Sequence, residues 1–255
     1  MLDINQLALF FLVLARLSAF FVAGPLFSLG NIPGLVKIGL SFTMAVVIYP
    51  TMATGTEVYP SDGWQYIFAL VREVMVGLAL GYTATLVLSA LIYAGSLIDM
   101  QIGFFMSLIF DPLAGATAGI VSRFLHMTGL AVLLAVDGHH MIISALTRSF
   151  SVVPVNTAQV SGDVAMFLIK VFAQMITLGV QIAAPLVAVM LVVDITLGLL
   201  ARTAPQINVF MLGFPIKIIF GMVTLSVMVP VLVRIIYSLC TVIGRDMGIL
   251  LKGIT

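Results

Sequence analysis

The chain has 255 residues, of which 62% are hydrophobic and only 8% are charged. Soluble domains hold roughly half apolar and a quarter charged residues, so a mean hydropathy of +1.26 indicates an integral membrane protein. A net charge of +1 excludes the basic face that nucleic-acid binding requires. The single cysteine, Cys240, excludes an internal disulfide.

Six apolar runs follow one another along the chain, each near or above the roughly 20 residues that a membrane span needs. They are Leu7–Leu29, Leu35–Thr54, Trp64–Ile98, Ala116–Val136, Val164–Leu200 and Ile207–Ile243. The third would reach roughly 50 Å as a helix, and Pro185, Pro215 and Pro230 interrupt the last two. Such helices can tilt or kink in the bilayer, or extend beyond it under other subunits. The pattern predicts an all-α protein of about six long, kinked helices.

Small residues recur at the four-residue spacing that lets membrane helices approach closely. The pairs are Gly77 with Gly81, Gly115 with Gly119, and Gly244 with Gly248. We expect them to lie where helices cross.

A polar segment with two prolines, residues 201–217, separates the last two runs and cannot lie against lipid tails. It predicts a helical hairpin with a proline-stiffened tip, whose amides can satisfy a partner's backbone. The cations of the tip weakly favour the cytoplasmic side and an outside N-terminus. The candidate docking residues of the tip are Arg202, Pro205, Gln206, Asn208 and Lys217.

Five ionisable residues lie within apolar runs, namely Arg16, Arg72, Glu73, Lys170 and Asp194. Each costs about 2.5–3.5 kcal/mol at membrane depth, so each should face protein, a counter-charge or water. Arg72 and Glu73 diverge around a helix and need separate partners. Two interpretations stay open: pairing between helices or subunits, and a role in a pathway or an ion-coupling site.

A short apolar segment between two carboxylates, Asp99 and Asp111, ends at Pro112 and a stretch rich in small residues. It is too short to span, and at membrane depth it must be buried in protein or line a cavity. Bulky side chains that project into a lumen would close it by excluding water. A plug and an ordinary packed loop are both compatible with the pattern. The candidate plug residues are Phe104, Phe105, Met106, Leu108, Ile109 and Phe110.

Catalytic and metal sites are not expected. Asp137, His139 and His140 have ligand chemistry, but adjacent histidines point about 100° apart on a helix, which favours a turn at a helix end over a metal site. An aspartyl protease would need two converging aspartates, and nothing marks any two of Asp99, Asp111 and Asp194 as such a pair. No phosphate loop or nucleophile elbow is present. The sequence predicts no enzyme activity and no cofactor.

Several stretches together resemble the FliR family of flagellar and type III secretion export proteins. The resemblance covers nearly the whole chain, in family order. Its pieces are residues 24–33, 72–77, 103–112, 137–140, 201–210 and 213–217.

The resemblance implies a subunit of the flagellar export gate in the bacterial inner membrane, within the flagellar basal body. Residues 1–163 would form a FliP-like part with a plug loop near 99–115, and residues 164–255 a FliQ-like hairpin with its tip at 201–217. FliP-like and FliQ-like subunits would complete a channel for unfolded export substrates. A FlhB-like protein would contact the tip at the cytoplasmic entrance.

Two alternatives to this function stay open. One is the homologous subunit of a virulence secretion system. The other is a stand-alone ion-coupled transporter, with Asp194, Lys170 and a helix break at Pro185 as its site.

Overall fold

The computed structural model of the chain describes residues 4–27, 32–52, 63–104, 119–158, 162–206 and 208–254. All the regular secondary structure in these residues is helical, which confirms the predicted all-α class. The helices are α1 (Ile4–Ala23), α2 (Gly34–Met52), α3 (Gly63–Ile102), α4 (Ile120–Ala135), α5 (Gly138–Val152), α6 (Gly162–Thr203) and α7 (Val209–Ile254).

Five of these helices, α1, α2, α3, α6 and α7, are long and apolar enough to cross a membrane. Helices α4 and α5, which a short break separates, together give a sixth candidate span. The predicted count of about six therefore agrees with the described part of the chain.

The helices differ from the predicted apolar runs in three respects. Helix α5 was not among the six runs, because its sequence mixes apolar residues with His, Ser, Thr and Arg. Helix α6 continues through Pro185, and α7 continues through Pro215 and Pro230 as far as Ile254. A proline removes one helix hydrogen bond, but in membrane helices neighbouring groups can satisfy the carbonyl that is freed.

The chain forms two compact units, each built from separate stretches of sequence. The first contains α1, α2, α3 as far as Val87, α5, the start of α6 and the end of α7. In this unit Phe10 of α1 packs edge-to-face on Phe42 and Tyr49 of α2. Gly77 and Gly81 of α3 lie against the α1 backbone, where a Cβ on Gly81 would sit 2.8 Å from the Phe20 carbonyl oxygen. This glycine pair therefore marks a close crossing of α1 and α3.

The second unit contains α3 from Leu88, α4, and the parts of α6 and α7 next to the hairpin tip. Its helices also meet at glycines: Gly95 of α3 lies against Ser122 of α4, and Gly221 of α7 lies against Ile102 of α3. Gly179 of α6 faces the Tyr93 ring of α3. This part of α3 thus contacts α4, α6 and α7.

Candidate functional site: charge clusters in apolar helices

Arg16 and Glu73 form a buried ion pair between α1 and α3, with Arg16 Nε 2.6 Å from Glu73 Oε2 and both side chains fully buried. Arg16 Nη1 donates to the carbonyl oxygens of Ser149 and Val153 at 3.2 and 2.9 Å. The Phe150 ring lies 4.4 Å from Arg16 Cζ. The cluster therefore ties three helices, α1, α3 and α5, around one guanidinium.

Glu73 is satisfied on its other oxygen as well, because the backbone N–H of Asn156 donates to Oε1 at 3.0 Å. Arg16 Nη2 is buried with no hydrogen-bond partner among the described residues. Two charges in a dry environment stabilise each other only when their geometry is good and further hydrogen bonds satisfy them. The pair meets most of this requirement within its own chain.

Arg72 and Lys170 are placed differently from this pair. Both side chains are exposed on apolar helices, and neither has an ion-pair or hydrogen-bond partner within the described residues. No counter-charge for these two cations therefore lies among the described residues.

Asp194 of α6 is the centre of a second charge cluster, in the unit that holds the hairpin tip. Lys217 Nζ of α7 lies 2.5 Å from Asp194 Oδ1. Gln101 of α3 donates from Nε2 to Asp194 Oδ2 at 3.3 Å. The cluster joins the end of α3 to both helices of the hairpin.

The hairpin tip is shorter than predicted. Helix α6 ends at Thr203 and α7 begins at Val209, so Lys217 and Pro215 lie inside a helix and not in the tip. Arg202, Pro205 and Gln206 are exposed, as the docking role requires. Asn208 is also exposed, but its side-chain oxygen accepts from the Met211 N–H at 3.2 Å and so caps α7.

The predicted plug falls mainly outside the described residues, which stop at Phe104 and resume at Gly119. Phe105, Met106, Leu108, Ile109 and Phe110 therefore lie outside the described residues. Helix α3 ends in a left-handed Gly103 with a φ of 98°, and the N–H groups of Gly103 and Phe104 both donate to the Asp99 carbonyl. A Cβ on Gly103 would lie 3.1 Å from the Phe214 ring of α7.

Asp99 joins the two ends of this segment, because its carboxylate caps α4. Oδ1 accepts from the Val121 N–H and Oδ2 from the Ser122 N–H, each at 2.9 Å, and the Asp99 side chain is fully buried. Gly119 stands at the N-cap position without a capping side chain. A Cβ there would collide with the Asp99 carboxylate. Asp99 thus supplies the cap of α4 from another helix.

Asp137, His139 and His140 are the one group of three metal-ligand side chains found among the described residues. Their ligand atoms lie within 4.8 Å of one another, so the expected divergence of the two imidazoles is wrong. Asp137 takes a left-handed conformation with a φ of 55° just before α5, and His140 Nδ1 lies 3.4 Å from Asp137 Oδ1. The turn brings the carboxylate back over the first turn of the helix.

Two features were not predicted from the sequence. The carbonyls of Ser149 and Val153 bind Arg16, but a backbone acceptor leaves no residue-type signal. Arg234 is an exposed cation in α7 with no partner in the described part of the chain. Its isolation within an apolar run was a signal that could have identified it.

Comparison with known proteins agrees with this architecture. The model of the family described as bacterial export proteins, family 1, matches residues 7–242. The flagellar biosynthetic protein FliR of Bacillus subtilis (strain 168) is 36% identical over 236 residues, which cover 90% of each chain. The FliR protein of Caulobacter vibrioides is 30% identical, over 84% of this chain and 86% of its own.

The FliR protein of Escherichia coli (strain K12) is more distant, at 27% identity over 90% of this chain and 87% of its own. The family match covers the first apolar run, both charge clusters and the hairpin as far as residue 242. The chain belongs to the FliR family of bacterial export proteins.

Proposed function

We propose that the chain is a non-enzymatic subunit of the flagellar type III protein export gate in the bacterial inner membrane. It would assemble with FliP-like and FliQ-like subunits into a protein-conducting channel and help to close it. Family membership and the flagellar name of the relatives support this assignment. That shared name also favours a flagellar system over a virulence system.

The observation that carries the proposal is the mismatch between the hairpin helices and a bilayer. Helices α6 and α7 have 42 and 46 residues, which correspond to about 63 and 69 Å of rise, against roughly 30 Å of hydrocarbon. Only 33% and 22% of the residues in their apolar spans are buried within the chain. Apolar helices that extend so far beyond the bilayer need other protein to cover them, which supports a hetero-oligomeric assembly.

The transporter alternative has less support. Asp194 is engaged by Lys217 and Gln101, and its proposed companion Lys170 lies 24 residues earlier in the same uninterrupted helix, about 36 Å along it. Pro185 does not break that helix. The two residues therefore lack the proximity and the broken helix that a midplane ion site uses.

Co-purification tests the assembly. A tagged full-length chain, expressed with the other export genes and extracted in mild detergent, should elute with FliP-like and FliQ-like chains in a complex of defined mass. The same plasmid should restore motility to a strain that lacks the gene. A stable monomer or homo-oligomer that exchanges ions in proteoliposomes would contradict the proposal.

Closure by the segment after Phe104 is the second part of the proposal, since bulky apolar side chains in a lumen exclude water. Deletion of Phe105 to Ile109 should leave the complex assembled but make the membrane leak small ions. As a control, Gly39→Ala alters α2 where a Cβ would meet no atom within 4 Å. An assembled deletion variant that does not leak would exclude the plug.

Docking of the tip by a FlhB-like protein at the cytoplasmic entrance is the third part. A photo-crosslinking residue at the exposed Gln206 should capture that protein. Asn208 is less suitable, because its replacement also removes the cap of α7. Capture of lipid alone, or labelling of position 206 from the periplasmic side, would contradict both the docking role and the outside N-terminus.

A further inference from the structure

The first half of α3 has an exposed apolar face. Its large apolar side chains recur alternately four and three residues apart over five intervals, and they are between 38% and 75% exposed. The intervals average 3.6 residues, the repeat of an α-helix, so these side chains form one apolar stripe along a single face of α3. We call this face the α3 seam; it consists of Trp64, Phe68, Val71, Met75, Leu78 and Tyr82.

Arg72 lies at the edge of the α3 seam, directly after Val71. Its side chain is exposed and has no partner among the described residues, whereas its neighbour Glu73 is buried against Arg16. Where two helices pack side by side, residues at the edge of the apolar contact can form the ion pairs that select a partner. An unpaired arginine against lipid is unfavourable, so the seam calls for a carboxylate from outside the chain.

A groove at the Tyr82 end of the α3 seam gives the partner a second contact. It has a cavity volume of about 200 Å³ and an almost wholly apolar wall. Met75, Leu78 and Tyr82 of the seam line one side, and residues of α6 and α7, Val164, Leu168 and Ile254, line the other. The groove can accept a bulky apolar side chain that projects from a helix lying along the seam.

We propose that the α3 seam binds one helix of a different membrane subunit of the export gate. That helix presents a carboxylate to Arg72 and a bulky apolar side chain to the groove. The inference rests on the proposed function, since it names the chemistry of a partner in that assembly. Acyl chains would cover the apolar residues but would leave Arg72 without a counter-charge, which is why a protein helix is the favoured occupant.

Charge reversal in the complete export complex tests the seam. Arg72→Glu should reduce the amount of partner chains that co-purify with the tagged protein by roughly tenfold or more, because it places two like charges at a desolvated contact. Arg72→Lys keeps the charge and should retain most of the complex. The control is Arg148→Glu on α5, which alters another exposed cation without a partner among the described residues. It should leave co-purification unchanged.

Photo-crosslinking residues at Phe68 and Met75 identify the occupant. We expect both to capture the same non-identical subunit, and reversal of an acidic residue next to the captured site should restore assembly to Arg72→Glu. Lipid adducts alone, capture of a second copy of this chain, or normal assembly of Arg72→Glu would overturn the inference. Loss of the Arg72→Glu chain itself would also overturn it, because an exposed arginine at an interface should not be needed for the fold of its own subunit.

The outcome is separable from the proposed function. If the unaltered chain co-purifies with the export subunits and the α3 seam variants behave normally, only the seam is wrong. If the unaltered chain brings down no export subunit, the assembly proposal fails before the seam is tested.

Discussion

Lys217 of α7 and Asp194 of α6 pair across the hairpin at 2.5 Å, and Gln101 binds the same carboxylate from the end of α3. Lys217 was expected in a docking tip, yet its ammonium is directed to its own chain. Two further contacts, Ile102 with Gly221 and Gly103 with Phe214, hold the same end of α3 on α7. The helix that leads into the predicted plug is therefore fixed to the hairpin.

The hairpin pair should contribute to the stability of the assembled subunit. We expect Asp194→Asn and Lys217→Met each to lower the free energy of unfolding by about 1 kcal/mol, since the pair is only partly buried. The exchange of both residues, Asp194→Lys with Lys217→Asp, should recover part of this loss. Thermal unfolding of the detergent-solubilised complex measures both the loss of stability and its recovery.

The control for the hairpin pair is Arg202→Met, which removes an exposed cation near the tip that has no partner in the described residues. If Arg202→Met lowers the unfolding temperature as much as Lys217→Met does, the ion pair is not the cause.

The Arg16–Glu73 pair should be far more sensitive, because both side chains are fully buried. Removal of one partner, as in Arg16→Met or Glu73→Gln, leaves an uncompensated buried group and should cost about 3–5 kcal/mol. The double variant Arg16→Met with Glu73→Leu should be less damaging than either single change. The yield of folded protein and its thermal midpoint report both effects. Additive losses in the double variant would show that the two residues act independently.

The crossing of α1 and α3 gives a third prediction. A Cβ on Gly77 would collide with the Arg16 carbonyl oxygen, and the nearby Ala19 Cβ leaves no space for it to move. Gly77→Ala should therefore destabilise the protein by roughly 1–3 kcal/mol through overpacking. Gly39→Ala is the matched control, because nothing lies within 4 Å of a Cβ at Gly39. Equal effects of the two substitutions on the thermal midpoint would contradict a close crossing.

The sequence was sufficient for the helical class, because runs of about 20 apolar residues can satisfy their backbone in lipid only as helices. It also located Arg16 and Glu73 as groups that need partners. It could not pair them, since they are 57 residues apart and the remaining acceptors of Arg16 are backbone carbonyls. Helix α5 was missed because polar residues interrupt its apolar residues, so hydropathy alone did not distinguish it from a loop.

The expectation at Pro185 was wrong for a related reason. A helix break was expected at Pro185, yet α6 continues through it, as α7 does through Pro215 and Pro230. The loss of one hydrogen bond is small compared with the exposure of a whole turn of backbone to lipid, so the helix persists. The true break at residues 204–208 contains Pro205 together with Gln206 and Asn208. A proline beside polar residues was the more informative signal.

Asp99 provides the last prediction, because it caps α4 from α3 on the far side of the predicted plug. Its two oxygens accept the Val121 and Ser122 N–H groups, so Asp99→Ala leaves two buried donors without acceptors. We expect α4 to lose about 1–2 kcal/mol of local stability, the usual cost of a lost cap. Gly119→Ala should have a similar effect, because its Cβ would occupy the place of the carboxylate. Hydrogen exchange of peptides that cover the start of α4 should then be faster in both variants.

Asp163→Ala, which removes an exposed carboxylate from the first turn of α6, is the control and should leave exchange in α4 unchanged. Protection of α4 that is the same in Asp99→Ala and in the unaltered protein would show that the cap does not hold the helix.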